Sequence, residues 1–289
     1  MIALTVGGVS FEIGPKHMVS ELEHQSLKKY SDREKFHSVN GMEPFQLRLQ
    51  DQCCSKNVDP SLDGGGPTVI STDGPLIRLR HRAFTAEIDP LQGCGRLQRD
   101  PGLRFPLEVT LRVVMCSRLP LISAIPLHSA GIIIRGAGVI FFGPSGAGKS
   151  TISAVSPYPV LSDELVVAGT HPPSLSSAGF FASGFDALGQ VRLSALVELD
   201  KGEKFSMIEL GRKEAFHRLL PVTMVPTSTA LWDRSMAVLN NLVSDVPVFR
   251  MAWSPSSSPW TQIESHLELA GTDLGAHLSP ERREGILCE

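Results

Sequence analysis

Long hydrophobic runs are missing from this 289-residue chain, and no stretch approaches the roughly 20 apolar residues of a bilayer span. Its first residues (MIALTVGGVSFEIG) lack the basic start and long apolar core of a secretion signal. An excess of positive charge is missing too: 27 Lys+Arg against 30 Asp+Glu leave a net charge of -3. That balance argues against a nucleic-acid-coating protein or a membrane-surface binder, both of which need a strong positive field. The five cysteines are odd in number, show no CxxC spacing and include the adjacent Cys53 and Cys54, so neither a disulfide framework nor a zinc site is expected. The nine histidines contain no HxxxH pair. There is no internal repeat and no low-complexity tract. Together these absences predict a soluble, cytoplasmic chain with no nucleic-acid or membrane partner.

The chain has 42% hydrophobic residues and 20% charged ones, ordinary values for a globular protein of one large or two smaller domains. Ala3–Ile13 alternates as an opening strand. Glu21–Phe36 is charged and weakly periodic, a surface helix or a long loop; Asn57–Thr68, with three successive glycines, reads as a loop. Short strands are expected at Leu76–Arg80, Ala83–Ile88 and Gly95–Gln98. Arg78, Arg80 and Arg82 alternate with Leu79 and His81; a solvated strand face is preferred there over a basic ligand patch. Pro106–Leu119 has helical spacing with proline at its start.

Ala130–Arg135 and Val139–Phe142 read as strands, with Gly136-Ala137-Gly138 available for the turn. A short helix, a strand at Val160–Val167 and a glycine-rich loop from Gly179 to Gly189 follow. Val191–Leu199 reads as a strand with Lys204–Leu210 as its hairpin partner. Helices are expected at Gly211–Leu219 and Leu231–Val243, and a strand at Val246–Met251. Strands alternating with helices in the second half, after a strand-rich first half, predict an α/β (α+β) protein. The expected divisions are a β-rich, substrate-facing lobe at 1–105, a core at 106–271 and a polar tail at 272–289.

Gly143-Pro144-Ser145-Gly146-Ala147-Gly148-Lys149-Ser150 satisfies G-x-x-x-x-G-K-[ST] at every fixed position. Glycines let the backbone curl so that successive N–H groups face phosphate oxygens. Lys149 supplies a point charge for the β- and γ-phosphates, and the Ser150 hydroxyl is a Mg²⁺ ligand. The apolar VIFF strand before the loop and Thr151-Ile152 after it provide the strand–loop–helix setting. The expected phosphate cradle is therefore Gly143, Ser145, Gly146, Ala147, Gly148, Lys149, Ser150 and Thr151.

The LSGGQ-type signature of transporter ATPases is absent, and so is the guanine-reading NKxD. Instead Asp163-Glu164 follows Lys149 by 14 residues, at the end of an apolar approach, and His128 precedes Gly143 by 15. This constellation (Leu127-His128-Ser129-Ala130, the hairpin to Phe142, the loop Gly143–Ser150 and Leu161-Ser162-Asp163-Glu164) resembles the HPr kinase/phosphorylase family and its shorter relatives. Weaker similarity runs over about 75–260, through Thr85–Asp89 with Gly95-Arg96-Leu97 and from Val191 to Arg250. The second glycine-rich signature of the bifunctional enzymes is not found downstream.

The resemblance implies a phosphoenolpyruvate-carboxykinase-like nucleotide fold and a kinase using ATP and Mg²⁺, with a hydroxyl acceptor, serine preferred, on a peptide, protein or small metabolite. It implies that Asp163 is the base and that His128 hydrogen-bonds it, with Lys149 completing the catalytic set. Ser150, Asp163 and Glu164 would hold the metal, although the family's acidic pair is usually Asp-Asp. Relatives assemble into homo-oligomers. The rival classes are a nucleotide-binding regulator or scaffold without phosphotransfer, and an acceptor-independent hydrolase. The Gly179–Gly189 loop reads either as a lid over the acceptor or as a surface loop docked by its phenylalanines. Arg192 reads as solvent-facing in preference to a phosphate clamp, and His171 as loop.

Overall fold

The computed structural model describes residues 1–6, 8–19, 42–51, 67–99, 103, 105–178, 190–226, 228–255 and 257–269. The expected segment Glu21–Phe36, most of the loop 57–68, the loop Gly179–Gly189, the tail 272–289 and Cys53, Cys54 and Cys288 lie outside them. The architecture is α+β, mostly strands with few helices, in two mixed sheets. Among the described residues no helix is long and apolar enough to cross a membrane. The chain divides into two compact units: Met1–Pro126 with Ala178–Phe180 and Met224–Val238, and Leu127–Ser177 with Phe181–Thr223 and Leu239–Glu289.

The first unit is built on seven strands: β1 (Ile2–Val6), β2 (Val9–Gly14), β3 (Phe45–Asp51), β4 (Val69–Asp73), β5 (Leu76–His81), β6 (Phe84–Asp89) and β7 (Cys94–Arg99). Their order is β1-β2-β3-β7-β6-β5-β4, with β3 parallel to both neighbours and the other pairs antiparallel. Period-two alternation explains the sheet: Phe84, Ala86 and Ile88 are buried while Thr85 and Glu87 are exposed. Helix α1 (Phe105–Arg118) buries Leu107, Leu111, Val114, Met115 and Arg118, a stripe at helical spacing. At its end Arg118 reaches the carbonyls of Glu43 (2.8 Å) and Pro90 (3.4 Å) and stacks 5.6 Å above the Phe45 ring. Gly93 makes room for it, because a Cβ there would sit 2.5 Å from its Nη1.

In the second unit the order is β11-β9-β10-β14-β13-β12, with β16 on β14 and β15 on β16. The strands are β9 (Ala130–Ile134), β10 (Ala137–Phe142), β11 (Val160–Ser162), β12 (Val166–Thr170), β13 (Pro173–Ser177), β14 (Gln190–Lys201), β15 (Ser206–Glu209) and β16 (Val248–Trp253). β8 (Ala124–Leu127) contains one point of division between the units. Both β9 and β10 are buried at every residue, which is why they read as unbroken apolar runs. The helices are α2 (Lys149–Ala154), α3 (Arg212–Leu219), α4 (Thr229–Asp245), which spans another division point, and α5 (Trp260–Leu269). Ile132, Val139, Phe141, Val197, Met251, Ile152 and Ile263 share one core on the α2 and α5 side.

Four expectations need correction. Ala3–Ile13 is a hairpin of two strands, since Gly8 adopts φ +88° and turns the chain. The β9–β10 turn is Arg135-Gly136, both with positive φ (50° and 90°), and Ala137 and Gly138 belong to the strand. Val160–Val167 is two strands, broken because the Ser162 hydroxyl accepts from the amides of Glu164 and Leu165 and bends the chain. Lys204–Leu210 does pair as a strand, but with β16, which lies between it and β14. The strands β3, β4, β8 and β13 and the helix α5 had no sequence expectation.

Candidate functional site

The phosphate-loop motif grows from the end of β10. Gly143 leaves the strand at φ +149°, and a Cβ there would lie 2.9 Å from the Ala147 Cβ and 3.2 Å from the Leu199 carbonyl. Pro144, Ser145 and Gly146 are exposed, and Gly146 and Gly148 take φ +78° and +107°. A Cβ at Gly146 would meet nothing within 4 Å, so the loop borders open space there. The loop closes on itself through the Ala147 amide to the Pro144 carbonyl (3.1 Å), and α2 starts with the Ile152 amide on the Gly148 carbonyl (2.8 Å).

Lys149 folds under this loop. Its Nζ donates to the Gly143 carbonyl (2.9 Å) and the Pro144 carbonyl (3.2 Å), leaving one donor uncommitted. Burial lowers its pKa, because a charged ammonium is poorly solvated there. Ser150 and Thr151 stand exposed on the first turn of α2.

Sheet register brings the acidic pair and His128 to the same end. β9 lies between β10 and β11: Ala130 opposes Phe141 on one side, and Gly131 opposes Ser162 on the other. Just beyond these partners come Ser129 and Asp163, and on β10 Phe142 followed by Gly143. Adjacent strands sit about 4.8 Å apart, so the Asp163 backbone is roughly 10 Å, two spacings, from that of β10, the strand that leads into the loop. The Ser129 amide donates to the Glu164 carbonyl (3.1 Å), and the His128 amide to the Val222 carbonyl (2.7 Å). Asp163 and Glu164 are half-buried and His128 is exposed. Among the described residues the imidazole of His128 makes no hydrogen bond, so what joins it to the acidic corner there is backbone, not the side-chain bond that the resemblance implies.

One acid at this sheet end was missed by sequence reasoning. β14 runs parallel to β10 on its other side and places Glu198 opposite Phe142, the residue before the loop. Glu198 is 7% exposed; Oε1 accepts from Arg218 at 3.5 Å, and Oε2 has no partner among the described residues. Burial raises its pKa, Asp200 and Glu214 act in the same sense, and Arg218 and Arg250 oppose them. Arg250, its cross-strand partner, pairs with Asp200 at 3.1 Å. The sequence signal was available: Glu198 is the one charged residue in the apolar stretch Leu193–Leu199. Arg192 sits near the other end of β14, six residues or about 20 Å from Glu198, and is exposed.

Among the described residues no three His, Cys, Asp or Glu side chains form a group able to hold a metal by themselves. The hydroxyl of Ser150 and the two carboxylates of Asp163 and Glu164 nevertheless fit Mg²⁺. That ion is held by one or two carboxylates, with a loop hydroxyl, water and substrate phosphate filling its octahedron. No protein-family model and no curated protein matches this chain.

Proposed function

We propose that this chain is an ATP-dependent kinase that moves the γ-phosphate to a hydroxyl, serine preferred, of a peptide, protein or small metabolite. The nucleotide core would be of the HPr-kinase-like kind that the motif pattern resembles. The observation carrying this reading is the backbone bond from Ser129 to Glu164 within the β11-β9-β10 register. It ties the acidic corner to β9, the strand next to the one that leads into the phosphate loop, so both lie at the same end of the sheet.

The roles follow from charge and reach. The loop amides and Lys149 Nζ bind the β- and γ-phosphates and offset charge that spreads over the γ-oxygens in the transition state. Ser150 with Asp163 and Glu164 are the residues that would hold Mg²⁺, which when bound neutralises phosphate charge. Asp163 accepts the proton as the acceptor oxygen bonds to the γ-phosphorus, and the bond to the β-bridging oxygen breaks to release ADP.

The test is label tracking. The protein is incubated with γ-labelled ATP, Mg²⁺ and host extract split into protein, peptide and small-molecule fractions, beside Asp163→Asn. Label in one fraction, lost with the variant while ATP still binds, is the expected result and names the acceptor class. Bound ATP without any labelled product, or phosphate release indifferent to added acceptor, overturns it in favour of a regulator or a hydrolase.

A further inference from the structure

On the outer face of the first unit's sheet, residues from four strands line up across the pairing register. Arg48 of β3 stands opposite Arg96 of β7, Arg96 opposite Glu87 of β6, and Glu87 opposite Arg78 of β5. One step along lies a second row: Gln50, Gln98, Thr85 and Arg80. The face is hollow. A trough of about 1060 Å³ runs past Gln46, Arg48, Gln50 and Arg96, and a second hollow of about 290 Å³ lies among Arg78, Arg80, Arg96 and Gln98. Glu87 and Arg96 line both, so the two adjoin.

The charges in this trough are unevenly satisfied. Arg78 is held by Asp73 (3.5 Å) and Glu87 (3.4 Å). Glu12 accepts from Gln46 Nε2 (2.8 Å), and Asp89 Oδ1 accepts from the amides of Leu91 and Gln92. Arg48, Arg80 and Arg96 make no hydrogen bond or ion pair among the described residues. Arg48 and Arg96 are also direct cross-strand neighbours, an arrangement of like charges that destabilises a sheet unless an anion sits between them. In a chain of net charge -3, Arg48, Arg80 and Arg96 gather on one concave face that also carries Glu87 and Asp89.

We infer that this trough binds an extended acidic peptide segment through carboxylates paired with Arg48, Arg96 and Arg80. Guanidinium forks match carboxylates bidentately. Its volume is at the upper end of the ~300–1,000 Å³ of small-molecule pockets, so it takes a chain segment and not a single anion. The side-chain amides of Gln46, Gln50 and Gln98 suit the N–H and C=O groups of a peptide backbone. Hollow shape disfavours a bilayer surface, and Glu87 and Asp89 beside the arginines disfavour a polyphosphate backbone. The inference is independent of phosphotransfer, because binding is measured without nucleotide.

The probe is a fluorescein-labelled octapeptide of alternating glutamate and serine, titrated with the full chain and read by fluorescence anisotropy. Saturable binding is expected, at least tenfold tighter than that of the glutamine–serine peptide and weakened as salt shortens the Debye length. Arg48→Glu and Arg96→Glu should each weaken it at least tenfold, while Arg234→Glu, an exposed site on α4, leaves it unchanged. Thermal melts of the variants show that they are folded. Absence of saturable binding, equal binding of the glutamine peptide, or indifference to both reversals overturns the inference. So does retention on phosphatidylserine vesicles or polyphosphate without peptide binding.

Discussion

The amide of Ser129 donates to the carbonyl of Glu164 across 3.1 Å, locking the residue after His128 to the residue after Asp163. Both segments also continue into neighbouring strands, so the histidine and the acid keep a fixed backbone relation while their side chains stay free of each other. His128→Ala should therefore lower phosphotransfer tenfold or more. ATP affinity and melting temperature should stay near wild type, since no side-chain bond is lost. Parallel binding and transfer assays check this; an unchanged transfer rate would exclude the imidazole from the chemistry.

Lys149 is predicted to dominate nucleotide affinity. Lys149→Met keeps the buried stem but removes the ammonium proposed to bind the phosphates, and charge-assisted bonds of this kind are individually strong. ATP affinity should fall about 100-fold by calorimetric titration, with some loss of melting temperature because the Gly143 and Pro144 carbonyls lose their donor.

Gly143→Ala and Gly146→Ala separate close contact from backbone strain. Both sites have positive φ, but only the first would push a methyl against Ala147 and the Leu199 carbonyl. Gly146→Ala should cost about 1–2 kcal/mol from backbone strain alone, and Gly143→Ala more. Urea denaturation gives the order; equal effects would contradict the loop geometry.

Glu198 supplies a pH signature. Its folded pKa is raised above 4.5, so between that value and the folded pKa the native state holds more proton than the unfolded chain. Native stability from this group is then fully present below 4.5 and lost as pH rises through the folded pKa. Glu198→Gln removes that loss. Its melting temperature should exceed that of wild type at pH 8, and the gap should close toward pH 4. A gap that widens in acid would reverse the sign of the assignment.

The two described cysteines should differ sharply in reactivity. Cys94 is exposed, whereas burial pushes the Cys116 thiol up to about 12, so almost no thiolate forms at pH 8. Iodoacetamide followed by peptide mass mapping should modify Cys94 within minutes and Cys116 only after unfolding. Rapid native labelling of Cys116 would show that α1 opens readily.

Short-range rules in the sequence determined most local structure. Alternation made Leu76–His81 and Phe84–Asp89 strands, helical spacing made Phe105–Arg118 a helix, and glycine spacing with one lysine and one serine made Gly143–Ser150 a curled loop after an apolar strand. These features depend on residues a few positions apart, which is the range a sequence displays. Tertiary structure alone decided the rest, because pairing brings together residues whose separation along the chain carries no pattern. It inserted β16 between β14 and β15, split Val160–Val167 at the Ser162 hydroxyl, and set Glu198 beside the phosphate loop from 55 residues' distance. It also placed Arg48 against Arg96 across a parallel pair, gathering scattered surface arginines into one trough.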